Sequence, residues 1–317
     1  MKPAFSIIFF TVGSGAGLGL LALVALFDLV SPDFLPSQAV WRSALLALIL
    51  IAAGLASSTM HLANPKNAWR SLARVRTSWL SREAASALAL FPAAGIYIVL
   101  AAKGNAGAAR AVLALASVLL AWSVLFCTAM IYASLKPIRQ WHTWLTPLNY
   151  VLLGHWSGAL LLATIASTEA AAPAGLLILA TVLGFVALAA KLAYWVWVGS
   201  RGGTTLSHAV GVDAGVRAPG APATVRARLF DAGHSRGTFL THEFGFVFAR
   251  RYATILRAIA LGLGFGLPLV YLIWGGGLWQ ASLAVALCCI VGLLVERWLF
   301  FAEARHTVRL YHGDART

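Results

Sequence analysis

Acidic side chains are scarce in this sequence, with ten Asp and Glu in 317 residues against 24 Lys and Arg. Charged residues of both signs make up 11% of the chain and apolar residues 60%, with a mean hydropathy of +0.83. Soluble domains carry about 25% charge and roughly 45–50% apolar residues, so a water-soluble enzyme or binding domain is excluded. Cysteine is also rare. Cys127, Cys288 and Cys289 all lie inside apolar runs and form no CxxC pair, which excludes a cysteine-held zinc or iron–sulfur site in this chain and a disulfide framework. Short alternating segments, the mark of a membrane β-barrel, are missing as well.

What the sequence does have is apolar runs of eighteen or more residues, each long enough to cross a hydrocarbon core of about 30 Å as a helix. The expected fold class is therefore all-α, a polytopic membrane helix bundle in one integral domain spanning 1–317. Eight spans are expected near 5–27, 41–62, 83–102, 110–132, 145–166, 174–198, 254–274 and 278–300. The first is too long for a signal-peptide core and has no A-x-A-like site near its end, so it reads as a retained span.

An even number of spans puts both termini on one face, called face A here, with the connections 63–82, 133–144 and 199–253. Lys and Arg divide 21 to 3 in favour of face A, the exceptions being Arg42, Lys103 and Arg110. Basic residues concentrate in cytoplasmic loops, so face A and both termini are expected in the cytoplasm of a bacterial inner membrane. The same rule accounts for the net charge of +14 without nucleic acid as a partner. In the long 199–253 connection the first half is Gly/Ala/Pro-rich and irregular. The stretch "THEFGFVFARRYATILR" spaces Phe244, Phe248, Tyr252 and Ile255 helically among arginines, as an amphipathic interfacial helix does.

Two motif matches dissolve on inspection. "GSGAGLG" at 13–19 lacks the dinucleotide-binding spacing and any preceding strand, and its small residues suit close helix packing. "GHSRG" at 233–237 fits G-x-S-x-G but has no α/β sheet to carry a nucleophile elbow.

The eight histidines are too few at membrane depth for two haems; a single haem would need His61 and His155, which sit at different depths. His155, in "LLGHWSGALL", is a polar group inside a span, a functional candidate by default or a hydrogen bond to a neighbouring helix. His61 ends the second span and Glu83 begins the third, so both fall on face A. One reading is helix-dipole complementarity and nothing more. The other is a quinone site: an imidazole that titrates near neutrality, a carboxylate, and an apolar slot for an isoprenoid tail. Arg74, Arg76, Trp79 and Arg82 are candidate supporting or docking residues. No catalytic or metal-ligating residue is expected. A transporter is the rival class, but it would need internal repeats or a polar midplane, and Asn149 and His155 are the main polar residues there.

Four segments, "MKPAFSIIFFTVGSGAGLGL", "HLANPKNAWRSLARVRTSWLSRE", "IYASLKPIRQWHTWLTPLNYVLLG" and "EFGFVFARRYATILR", occur in an order that resembles the membrane anchor subunits of dimethyl sulfoxide reductases and the related sulfite dehydrogenases. The resemblance implies an electron-transfer subunit without haem. It would anchor an iron–sulfur subunit and a molybdopterin catalytic subunit and exchange electrons with a quinone or quinol, menaquinone or ubiquinone. It further implies that His61, in H-L-x-x-P, and Glu83, 22 residues later, form the quinone site. His155 departs from the family's pattern, where an apolar residue is expected.

Overall fold

The structure is a computed structural model describing residues 4–59, 65–200, 203–210, 227, 229, 248–274, 278–312 and 316–317. Among these there is no strand. Eight helices are long and apolar enough to cross a membrane: α1 Phe5–Val30, α2 Ser37–Thr59, α3 Trp79–Ala102, α4 Ala108–Ala133, α5 Leu145–Ala166, α6 Ala174–Ser200, α7 Arg251–Ile273 and α8 Trp279–Ala302. The starts of the odd-numbered helices and the ends of the even-numbered ones define face A.

α1 is the axial helix, packed on α2, α4 and α5. It can sit there because its contacts are made by glycine. A Cβ added at Gly19 would lie 2.0 Å from the Gly154 carbonyl oxygen, and one at Gly158 would lie 2.4 Å from the Leu20 nitrogen. Lipid tails are as apolar as leucine, so close backbone approach is what drives such helices together. The 13–19 stretch is thus a packing surface, carried by Gly17 and Gly19; a Cβ at Gly13 or Gly15 would meet nothing within 4 Å.

Among the described residues two helices carry a π-type turn, Phe10–Ser14 in α1 and Gly262–Gly266 in α7. Wide turns of this kind misalign the i→i−4 ladder and recur at functional positions. In α7 the Gly264 carbonyl accepts from Trp156 Nε1 at 2.9 Å. In α1 the turn lies beside the polar cluster described below.

Several boundaries move from the sequence expectation. α3 starts at Trp79 because Ser78, in extended conformation, accepts from the Ser81 backbone N–H, a side-chain N-cap. Glu83 therefore lies one turn inside the helix, not at its mouth. The arginine-rich stretch, expected as an interfacial amphipathic helix, is from Phe248 to Leu261 one continuous helix running into α7; residues 241–247 lie outside the described set. Arg257 is tolerated inside this helix because it pairs with Glu303 at 2.7 Å and covers the Trp195 ring at 5.4 Å.

Asp28, which the expected span 5–27 leaves in the loop that follows, is instead buried in the last turn of α1. Arg110 Nε donates to its Oδ2 at 2.8 Å and the Tyr97 hydroxyl donates to the same oxygen at 3.0 Å, joining α1, α3 and α4 at the opposite face. Arg42 likewise pairs with Glu169, so two of the three cations on that face carry a carboxylate partner. Removing one member of a buried pair leaves the other charge stranded, a loss of ~3–5 kcal/mol when both are fully buried. Arg110 is 15% exposed, and Arg110→Ala is expected to lose about 2–3 kcal/mol, read as earlier thermal unfolding in detergent; Asp28→Asn in the same background should recover part of it.

Candidate functional site

Glu83 sits four residues into α3, about 6 Å along the axis from its start at 1.5 Å per residue, and is 4% exposed. Its Oε1 meets the Thr128 hydroxyl, which also lies 2.9 Å from the Val124 carbonyl. A hydroxyl has one proton and two lone pairs. It can donate to an ionised Glu83, or accept from a protonated one while donating to Val124. The contact suits both protonation states of the carboxyl.

The loop before α3 is organised by Arg82. Its Nε donates to the Val75 carbonyl at 3.0 Å and Nη2 to the Arg76 carbonyl at 2.7 Å, while its guanidinium covers Trp79 at 4.3 Å. Trp79 packs edge-on against Phe126 of α4. Arg82 and Trp79 thus brace the entry to α3 next to Glu83, and the exposed Arg74 and Arg76 point charge outward on face A. His61 lies outside the described residues.

His155 is not part of this group. Its Nδ1 donates to the Val151 carbonyl at 2.8 Å and its Nε2 accepts from Trp122 Nε1 at 3.0 Å. Both ring nitrogens are engaged within the bundle. Trp122 also lies six residues from Thr128, about 9 Å deeper along α4. His155 is a helix–helix hydrogen-bonding residue.

The charged group that sequence reasoning passed over lies across the bundle from Glu83. Lys191 of α6 and Glu296 of α8 form an ion pair with 1% and 0% of their side chains exposed. Arg297, 3% exposed, has its guanidinium carbon 3.8 Å from the Tyr150 ring centroid. Tyr150 stacks on Tyr132 of α4 at 5.8 Å, and Tyr132 follows Thr128 by one helical turn. Glu83, Thr128, Tyr132, Tyr150, Arg297, Glu296 and Lys191 form one polar layer through five helices, about 2–14 Å below face A. Outside it, Glu303 pairs with Arg257; burial raises the Glu303 carboxyl above the usual range, with Arg257 opposing. With Lys191 and Arg297 buried, they cannot serve as loop charges, and the imbalance between faces becomes 19 to 3. The available signal was an acid followed by a base in the apolar run "VGLLVERWLFF", since such residues rarely lie in a span without a role.

An apolar groove of about 360 Å³ opens between α1, α7 and α8, lined by Phe5, Ile8, Phe9, Leu256, Leu294, Val295 and Trp298. Glu83 does not line it.

Residues 1–302 match the family model described as DMSO reductase anchor subunit. The chain belongs to the DMSO reductase anchor subunit family. The anchor subunit is also 36% identical to a sulfite dehydrogenase subunit of Allochromatium vinosum, over 98% of this chain and 99% of that protein. A polypeptide of the anaerobic dimethyl sulfoxide reductase of Escherichia coli is 31% identical, over 36% of the residues here and 40% of its own length. The protein is thus a multi-pass membrane protein, the membrane anchor subunit of an oxidoreductase complex, and family membership implies association with the catalytic subunits.

Proposed function

We infer that the anchor subunit binds a quinone or quinol at His61 and Glu83 and passes electrons between it and an iron–sulfur subunit docked on face A, next to a molybdopterin catalytic subunit. The observation that carries this reading is the Glu83 carboxyl, withdrawn one turn below face A with a hydroxyl partner that accommodates either protonation state. A quinone, when bound, supplies two-electron, two-proton redox chemistry. Glu83 would hold or move a proton at its carboxyl oxygen, His61 would hydrogen-bond a carbonyl oxygen, and the surrounding helices would exclude water. Full-length similarity to a sulfite dehydrogenase subunit, against a partial match to a dimethyl sulfoxide reductase polypeptide, favours sulfite oxidation with quinone reduction over the quinol-oxidising direction. The test is sulfite-dependent reduction of a soluble quinone analogue by the purified complex. Turnover with an artificial acceptor but none with quinone would remove the assignment.

The proposed orientation is face A in the cytoplasm of a bacterial inner membrane, on the charge imbalance. Electrons and protons then enter and leave on one side, so turnover is electroneutral. Protease should cut the 199–253 connection in inverted vesicles and spare it in right-side-out ones; the opposite pattern would reverse the topology.

A further inference from the structure

Next to Glu296 the bundle leaves a void of about 10 Å³, the size that holds one water. Its polar lining comes from Thr11, Tyr150, Ser157, Glu296 and Arg297. Thr11 belongs to the π-type turn of α1. Glu296 Oε1 is held by the Lys191 ammonium, while Glu296 Oε2, Arg297 Nη1 and the Tyr150 hydroxyl are fully buried without a hydrogen bond. Buried polar atoms in native proteins are satisfied by protein or by ordered water. Three such atoms around a water-sized void point to a water.

The charges next to that void do not cancel. Lys191 and Arg297 are two cations for one carboxylate, Glu296. Arginine does not give up its proton, so Arg297 balances Glu296 permanently, and the proton in excess belongs to Lys191. Its ammonium is held over the Tyr194 and Trp195 rings at 4.4 and 5.2 Å. The other ionisable groups facing this pair are Tyr150 from α5, Tyr194 from α6, and, one layer outward, Glu303 at the C-cap of α8 with Arg257 of α7; the α1 residues lining the void, Thr11, Val12, Gly15 and Ala16, are not ionisable. Glu303, the C-cap of α8, follows Glu296 by seven residues, two turns nearer face A and on the same helix side.

We propose that the Lys191–Glu296 pair is a proton-loading site, coupled through a water in the adjoining void to Tyr150 and reloaded from face A through Glu303. The inference rests on the quinone reading of Glu83, which the site would serve. When a proton passes to the water side, Lys191 is left as a neutral amine and Arg297 alone balances Glu296. Glu303 then returns a proton to Lys191 and becomes the carboxylate that Arg257 already faces. The raised Glu303 carboxyl suits a group that carries a proton part of the time.

The test compares Lys191→Met, Lys191→Arg and Tyr150→Phe in the assembled complex. Lys191→Met leaves Arg297 and Glu296 balanced, so the variant should fold, and turnover with an artificial acceptor at the catalytic subunit reports assembly. Quinone reduction should fall roughly tenfold or more in both Lys191 variants, most at high pH, because arginine restores charge but cannot release a proton. Tyr150→Phe should slow it and raise the solvent deuterium isotope effect. Wild-type quinone rates and pH profile in Lys191→Arg would reduce the pair to a structural ion pair and overturn the proposal; if that variant fails to assemble, the same result in Tyr150→Phe does so. A void seen empty in a map that resolves internal waters would also overturn it. Loss of quinone activity in the wild-type complex would overturn the quinone reading as well, and wild-type activity with unaffected variants overturns this inference alone.

Discussion

His61→Ala is expected to abolish quinone-coupled turnover while the complex still assembles and still reduces an artificial acceptor. The imidazole is the group in the H-L-x-x-P segment that can both donate a hydrogen bond and exchange a proton near neutral pH; alanine can do neither. A positioned acid or base contributes roughly 10²–10⁴-fold to a rate, and the loss here belongs at the upper end because a binding contact disappears with it. Glu83→Gln separates the two roles. The amide keeps shape and hydrogen-bonding capacity at Thr128 but cannot ionise, so the rate should fall by ~10²-fold with little change in the affinity of a quinone-site inhibitor. If inhibitor affinity and rate fell together, Glu83 would bind the head group without relaying protons. Quinone turnover surviving in an assembled His61→Ala complex would end the site assignment.

How far the sequence reached this site depends on which physical signal each residue leaves. The spans were legible because transfer into hydrocarbon selects for apolar runs whatever the tertiary contacts, and all eight were found within a few residues. Glu83 stood out as a candidate because it breaks such a run at its edge. Its depth was not, because depth was decided by Ser78, a cap that a sequence pattern places only to within a turn. Asp28 was misplaced for a related reason. An acid next to prolines looks like a loop unless its partners are known, and Arg110 and Tyr97 come from two other helices. Lys191 and Glu296 were missed because a cation counted near a helix end explains itself as a topology determinant. Only packing reveals that it is 1% exposed and faces a carboxylate from a helix about a hundred residues away. His155 left two readings open in the sequence, a function or a hydrogen bond to a neighbouring helix, and the structure shows such a bond from Trp122.

Gly19→Ala and Gly158→Ala are each expected to prevent accumulation of the folded anchor, and with it membrane attachment of the complex. In an isolated helix the change would be favourable, since alanine exceeds glycine in helix propensity by about 1 kcal/mol. At the α1–α5 contact the added methyl meets backbone, the Gly154 carbonyl at 2.0 Å in one case and the Leu20 nitrogen at 2.4 Å in the other. Overpacking that side chains can relieve costs about 1–3 kcal/mol. Backbone cannot rotate aside, so the two helices must separate along their length, and the loss should reach or exceed ~3 kcal/mol of a stability typically near 5–15. The clash outweighs the propensity gain. Separation of α1 from α5 would also pull Thr11 away from Tyr150 and open the void between them, so any protein that survives should have slow quinone turnover out of proportion to its abundance. Gly95→Ala is the control, because a Cβ there meets nothing within 4 Å, and it should be neutral or slightly stabilising. Quantifying the anchor in washed membranes and its unfolding temperature in detergent compares the three. Wild-type abundance and stability of Gly19→Ala would mean that α1 and α5 are not in backbone contact, and the axial position of α1 would have to be abandoned.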